Sequence, residues 1–227
     1  MKSPVFKAVV QVFAVALPWP IRRFLLKNLL GFSIDPKASI GLSIVLADKV
    51  SMAGNARIGH FNYIGRLDFL SMADQSGIAS HNWITGLAKS MNSHYFRRWK
   101  NRRSDLILGT GAWITTRHIV DCSDAVELGD FACIAGVRSQ LLTHGPDFMT
   151  AEVACAPISL GAYTVLATGS IVLKGVTVAD RCVISAGSVV TSSFEEPYSL
   201  IVGNPATFAR KLPESSKLFH RTQASLI

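Results

Sequence analysis

A chain of 227 residues is long enough for one large domain or two small ones, and at this size most of a folded chain's apolar surface can be buried. Hydrophobic residues make up 49% and charged residues only 17%, with a mean hydropathy of +0.32, which leaves apolar surface for another subunit or a membrane, self-association being the first choice. The four cysteines, Cys122, Cys133, Cys155 and Cys182, have neither C-x-x-C pairing nor metal-ligand spacing, so neither a zinc site nor a disulfide framework is indicated and a reducing compartment is the default.

The net charge of +8 suits nucleic acid, anionic lipid or a phosphorylated ligand equally, so its placement matters more than its size. Arg22, Arg23 and Lys27 form one group, Arg97, Arg98, Lys100, Arg102 and Arg103 a second, and Arg210 and Lys211 a third. No nucleic-acid motif accompanies them, and no nucleic-acid partner is expected.

In chain order, residues 1–33 come first as a helical segment. Residues 5–17 are apolar apart from Lys7 and Gln11, and Pro18 and Pro20 break the run well short of the roughly 20 residues a bilayer span needs. A secretory leader is a rival reading, because Lys2 and Lys7 precede a run ending in Ala14-Val15-Ala16. After the prolines, Ile21, Phe24, Leu25 and Leu29 share one helical face, with Arg22, Arg23 and Lys27 elsewhere. Such an amphipathic helix lies on a membrane or caps the end of a solenoid.

From Ile34 an aliphatic residue or Met returns every sixth position, at Ile40, Leu46, Met52, Ile58, Ile64 and Leu70. The register returns at Ile78 and Ile84, at Leu108, Ile114 and Val120, and at Leu128 and Ile134. It then runs unbroken through Leu160, Leu166, Val172, Val178, Ile184 and Val190. Four positions after the aliphatic residue the last units carry Thr164, Ser170, Val176, Cys182 and Ser188, all small or β-branched. A fixed six-residue period predicts a parallel β-helix over 34–192, in which three short strands and three tight turns make a triangular coil of about 18 residues. The aliphatic side chain fills the interior and the small residue fits the corner. Two interruptions, at 86–105 and 145–157, leave the solenoid as loops, and 193–227 is a short C-terminal tail.

The run from Pro157 to Gly161, the Gly169-Ser170-Ile171-Val172-Leu173-Lys174-Gly175-Val176 segment, Ile184 to Thr191 and Gly203-Asn204-Pro205-Ala206 resemble the hexapeptide-repeat acyltransferases. The likeness spans about residues 34–211 and is most specific in the C-terminal half. It extends to the O-acetyltransferases of polysaccharide and lipopolysaccharide and to the galactoside and xenobiotic acetyltransferases. The resemblance implies an all-β solenoid wound left-handed, a homotrimer, and acetyl-CoA as cosubstrate without a metal. Where the family often has Asp and Trp, this chain has Ala162 and Val165.

Acyl transfer from a thioester to a hydroxyl needs a base, donors for the tetrahedral oxyanion, and alignment of the two substrates. Among six histidines, His144 stands where the repeat stops, in Thr143-His144-Gly145-Pro146-Asp147, and the resembling enzymes carry their catalytic His at this point. Asp147 is the candidate for orienting it, with turn capping as the rival role, and His118, about one coil earlier, is expected near it. The resemblance also maps the acetyl-CoA groove between subunits onto Thr168, Ala186 and Thr191, with Arg210 and Lys211 placed to meet CoA phosphates. Candidate acceptor contacts are Arg117, His81, Asn82 and Trp99, with packing as the rival for His81 and Asn82.

The resulting expectation is an acetyl-CoA-dependent O-acetyltransferase acting on a saccharide hydroxyl, lipid- or nucleotide-linked, in cell-envelope polysaccharide synthesis. Its place would be the cytoplasm or the inner face of the cytoplasmic membrane, with a sugar or glycolipid as acceptor. A sugar N-acyltransferase or a non-catalytic membrane-associated β-helix are the alternatives. A γ-class carbonic anhydrase fits poorly, since no two histidines stand five residues apart.

Overall fold

The computed structural model describes residues 3–91 and 93–224. The two ends of the expected terminal segments, with Lys2 of the basic start, lie outside them. The chain is a left-handed parallel β-helix preceded by two helices. Its coils superpose three rows of strands. One row stacks Ser39–Ile40, Arg57–Ile58, Gly77–Ile78, Trp113–Ile114, Cys133–Ile134, Val165–Leu166 and Val183–Ile184 in parallel register. A second stacks Trp83–Gly86, Ile119–Cys122, Gln140–Leu142, Ile171–Leu173 and Val189–Val190. The third stacks Asp105–Leu108, Val126–Leu128, Ile158–Leu160 and Thr177–Val178.

The hexad positions account for the interior. Ile34, Ile40, Met52, Ile58, Ile64, Leu70 and every later member from Ile78 to Val190 are buried. Leu46 is the exception. Val45 pairs with Ile64 in the interior row and Ala47 is buried after it, so strand alternation turns Leu46 outward, and the register between Ile44–Met52 and Tyr63–Met72 slips just beyond it. The small residues at Thr164, Ser170, Val176, Cys182 and Ser188 are buried in the corners, where Thr164 Oγ1 donates to Ala179 O at 2.8 Å and Ser170 Oγ to Ser185 O at 2.9 Å. A hydroxyl there satisfies a carbonyl that a turn would otherwise strand in the interior.

One corner carries a side-chain ladder that runs from coil to coil, across the strands. Ser43 Oγ accepts from Asn62 N, Asn62 Oδ1 from Asn82 N, Asn82 Oδ1 from His118 N, and His118 Nδ1 from Ser139 N, at 2.9–3.1 Å. The His118 Nε2 pairs with Thr115 Oγ1 at 2.8 Å. Both ring nitrogens are therefore committed, and burial lowers the His118 pKa to about 4. His118 is a neutral ladder member at the opposite end of its strand from the His144 corner, not the neighbour of His144 that the coil count predicts. Asn82, whose Nδ2 donates to Asn62 Oδ1 and Thr115 O, likewise belongs to the ladder and is buried.

The ends are closed differently. Helices α1 (Pro4–Ala14) and α2 (Trp19–Leu30) cover the first coil, and α2 stops at Gly31 in left-handed conformation, φ 72°. Their inward residues are Lys7, Gln11, Ala14, Arg22, Leu26 and Leu30. Arg22 is 1% exposed, and its guanidinium donates to Gly41 O and Ser43 O, both at 2.5 Å, where the first coil has no preceding strand to take those carbonyls. Gln11 Nε2 does the same for Val45 O at 2.8 Å. The cap is thus polar where it meets open backbone, and the apolar row with Ile21 and Phe24 faces outward, 52% and 64% exposed. Among the described residues no helix is long and apolar enough to cross a membrane. At the other end the antiparallel strands Ser199–Gly203 and Ala206–Lys211 close the last coil over Ile201 and Ala206.

Replacing Arg22 by Ala leaves Ser43 O without its donor and Gly41 O with Ser43 N alone, and is expected to lower the unfolding free energy by about 2–4 kcal/mol in a urea titration, with early proteolysis of α1. For His118 the folded pKa lies below the ordinary 6.5, so protonation favours the unfolded chain. Its contribution is intact above that value and erodes as pH falls toward 4, by up to about 3 kcal/mol. His118→Asn, which installs the residue the ladder uses at 62 and 82, is expected to flatten the melting temperature between pH 6.5 and 4, as read by thermal melts.

Candidate active site

Both interruptions of the repeat leave the solenoid at the same corner. The strands Trp83–Gly86 and Gln140–Leu142 flank Ile119–Cys122 in one row, and the chain departs after the first and the second while the middle coil turns tightly through Ser123 and Asp124. At Gly86 a Cβ would lie 2.0 Å from Ser104 Oγ and 2.6 Å from Cys122 O, so only glycine fits where the first insertion leaves. That insertion carries short 3-10 turns at Lys89–Met91 and His94–Phe96. The second is an antiparallel hairpin, His144–Asp147 against Glu152–Cys155, rather than an open loop.

The two insertions brace each other. Arg98 pairs with Glu152 at 2.8 Å, Trp99 Nε1 donates to Val153 O at 3.1 Å, and Arg102 donates to Ser123 O at 3.0 Å with its guanidinium 4.8 Å from the Phe96 ring centre. Trp99, expected at the acceptor, holds the hairpin instead. Phe96 is thereby set edge-on to the His144 ring, 6.1 Å between centres.

His144 is held by Asp121. The carboxylate is 8% exposed; Oδ1 accepts from Ser123 N at 3.0 Å and Ser123 Oγ at 2.7 Å, and Oδ2 from Thr143 Oγ1 at 2.9 Å, His144 N at 3.1 Å and His144 Nδ1 at 2.7 Å. Burial alone would raise the Asp121 pKa, but the bonds from His144, Ser123 and Thr143 outweigh it and the net direction is down. The bond to Asp121 raises the His144 pKa, against partial burial and the positive charge of Lys174. Because an ionised carboxylate only accepts, the Nδ1 of neutral His144 carries the proton and Nε2 presents its lone pair to the cavity. Asp147 takes no part in this: its Oδ1 accepts from Met149 N at 2.9 Å and Thr150 N at 3.4 Å, which serves the hairpin turn. Three residues of extended strand carry it to the turn end of the hairpin, away from the ring, whereas Asp121 lies on the neighbouring coil, where Leu142 pairs beside it.

The cavity at His144 has a volume of about 490 Å³, and Asp121, Ser123, Tyr63, Arg66, Trp83, Tyr95 and Phe96 share its wall. Tyr63 and Trp83 stack across adjacent coils, ring centres 4.7 Å apart, and Trp83 is 56% exposed, giving a flat aromatic wall.

The other candidates fall elsewhere. His81 and Arg117 are exposed in left-handed conformation, φ 60° and 61°, at the corner of the Asn82–His118 ladder, which also carries Thr168 and Ala186 further along. Thr168 Oγ1 bonds both N and O of Val137, and Gly187 N donates to Thr168 O at 3.0 Å, so 168 and 186 stand on successive coils. Thr191 follows the strand Val189–Val190, at the next corner. Arg210 is exposed on the closing hairpin, and Lys211 pairs with Glu196 at 3.1 Å. Asp121, Tyr63, Arg66, Trp83 and Phe96 are absent from the expected set. The signal for Asp121 was available: it follows the in-register Val120 and is the acid that coil counting sets beside Leu142.

No protein-family model matches the chain. A Staphylococcus aureus (strain MRSA252) protein named "Putative acetyltransferase SAR2635" is 46% identical over 56 residues, which are 25% of this chain and 28% of that protein, so the chain spans little over a quarter of the curated relatives it matches. Among solved structures, the polysialic acid O-acetyltransferase OatWY aligns with a TM-score of 0.55 at 15% identity, over 82% of this chain and 90% of that one. The hexapeptide-repeat containing acetyltransferase VCA0836 from Vibrio cholerae, complexed with acetyl coenzyme A, gives 0.50 at 16% identity over 93% and 87%. AntD, an N-acyltransferase from Bacillus cereus, as a variant with dTDP-4-amino-4,6-dideoxyglucose and coenzyme A, gives 0.53 at 16% over 85% and 90%. The chain is therefore built on the left-handed β-helix that hexapeptide-repeat acetyltransferases share.

Proposed function

We propose that this protein is an acetyl-CoA-dependent O-acetyltransferase whose acceptor is a saccharide hydroxyl and whose general base is His144. The observation that carries the reading is the His144–Asp121 pair, at 2.7 Å, opening into an aromatic-walled cavity between two insertions. The acceptor hydroxyl gives its proton to His144 Nε2 as its oxygen attacks the thioester carbonyl. The tetrahedral intermediate collapses by breaking the C–S bond, and the departing thiolate recovers the proton from the imidazolium. Asp121 holds the ring and stabilises its charged form without itself taking the proton. The flat wall of Tyr63 and Trp83 suits the C–H face of a pyranose.

The donor belongs to the same reading. Acetyl-CoA would lie along the corner of Thr168 and Ala186, beside a second copy in a homotrimer, with Arg210 available to CoA phosphate. Thr191 and Lys211 are further from this arrangement, the one at another corner and the other engaged with Glu196. The N-terminal helices would rest against the cytoplasmic face of a membrane, their outward apolar row toward the lipid and Lys27 near the headgroups. The relatives' names support acetyl transfer, and OatWY and AntD act on a polysaccharide and carry a nucleotide sugar, respectively.

His144→Ala is expected to lower kcat on the order of 10²–10⁴-fold with acetyl-CoA affinity kept, and retention of wild-type turnover would remove His144 from the role. Because the neutral imidazole is the base and its pKa is raised, the rate falls as pH drops through that raised value. Asp121→Asn removes the cause, so the acidic limb of the pH–rate profile is expected to move to lower pH, with kcat reduced about 10²–10⁴-fold as the tautomer is no longer held.

A further inference from the structure

A second cavity, of about 330 Å³, runs between α1 and the solenoid. Pro4, Val5 and Ala8 of α1 form one wall, Ala88, Ser90 and Met91 of the first insertion the other, and the outward Leu46 its floor. Lys7 and Asp48 also border it, but they neutralise each other at 2.5 Å, so Arg66 alone of its lining residues keeps an uncompensated charge and the rest of the groove is apolar. It meets the His144 cavity at Tyr63 and Arg66, which line both.

Arg66 owes its position to a break in the ladder. Gly65 pairs with Leu46 and Leu67 with Ala47, which leaves Arg66 as the extra residue of a bulge, in left-handed conformation at φ 62°. Bulges re-aim a side chain out of the alternation. On the paired strand Leu46 faces the groove by ordinary alternation, between the buried Val45 and Ala47. The guanidinium of Arg66 has no hydrogen-bond or ion-pair partner among the described residues. From the His144 cavity outward the order is therefore a polar, aromatic-walled chamber, an unpaired cation, an apolar groove, and then Val5, Val9, Val12 and Phe13 on the outer face of α1, exposed by 48–77%.

We propose that the acceptor is amphiphilic: a saccharide joined through a phosphate or diphosphate to a lipid chain, with the sugar at His144, the anionic linker on Arg66 and the first carbons of the chain in the groove under α1. This rests on the acyltransferase reading of the His144 cavity and names its substrate class. The cation at the junction distinguishes the acceptor's lipid from the acyl chain of a long-chain donor, since a fatty thioester has no anion between its carbonyl and its hydrocarbon. The remaining chain would pass over the apolar row of α1 into the bilayer, which accounts for an end cap whose hydrophobic side faces away from the core it caps.

The probe is dodecyl phosphate below its micelle concentration, titrated calorimetrically into the full chain beside inorganic phosphate and dodecanoyl-CoA. Dodecyl phosphate is expected to bind on the order of a hundredfold more tightly than inorganic phosphate, since several methylenes leave water. Ala8→Trp and Ser90→Trp plug the groove from opposite walls, and each is expected to weaken dodecyl phosphate about tenfold or more, thermal melts serving as the folding control. Arg66→Gln is expected to weaken it about tenfold by removing the charged partner. Equal affinity for the two phosphates, or plugged variants that melt normally and bind dodecyl phosphate as before, would overturn the proposal. So would plugs that weaken only dodecanoyl-CoA, which would give the groove to the donor. Acetyl-CoA binding by the unaltered chain is measured apart: its absence alongside groove binding of dodecyl phosphate counts against the acetyl donor, not against the amphiphile.

Discussion

The structure depends on one constraint, that each coil must pair its backbone with the coils above and below. Parallel strands about 4.8 Å apart leave no freedom in where a coil begins and ends, so corners stack on corners and interior side chains on interior side chains. The buried column Val45, Ile64, Ile84, Val120, Leu141, Val172 and Val190 is the direct outcome, as is the Ser43–Asn62–Asn82–His118–Ser139 ladder beside it. A residue's role is set by which corner it falls on.

The same constraint builds the His144 site from segments far apart in sequence. Insertions after Gly86 and Leu142 emerge from coils that are next but one, so they flank the single coil between them, and Asp121 of that coil is enclosed by both. Enclosure is what gives the carboxylate its force. Five hydrogen bonds, from backbone, hydroxyls and imidazole, keep it ionised in spite of burial, and the ionised form in turn fixes the His144 ring and its tautomer. The arginines and aromatics of the first insertion, which read as a basic patch in sequence, are spent largely on bracing: Arg98 on Glu152, Arg102 on backbone and Phe96, Trp99 on Val153.

Departures from the repeat set which groups face out of the solenoid. The bulge sends the Arg66 cation outward beside Leu46, between α1 and the first insertion. The cap helices present carbonyl-seeking Arg22 and Gln11 to the open first coil, because unpaired backbone needs donors more than it needs apolar cover, and that leaves Ile21, Phe24 and the α1 valines on the outside. A helix read by its hydrophobic row alone would be docked the wrong way round.

The period of six, the interior aliphatics and the small corner residues were legible in the sequence because each coil repeats the same local geometry, and local repetition leaves a countable trace. His144 was legible too, as the point where counting fails. Which acid serves it was not: Asp147 is near in sequence but caps its own turn, while Asp121 is 23 positions earlier and adjacent only once the coils stack. His118 and Asn82 carry the residue types of a site, yet corner burial commits every polar atom they have to the ladder, and Leu46 fits the period but loses the interior to Val45. By itself the sequence determined the scaffold and where it is interrupted, since both follow from spacing along the chain. Only the tertiary structure decided which groups meet, because stacking between coils brings together residues that spacing keeps apart.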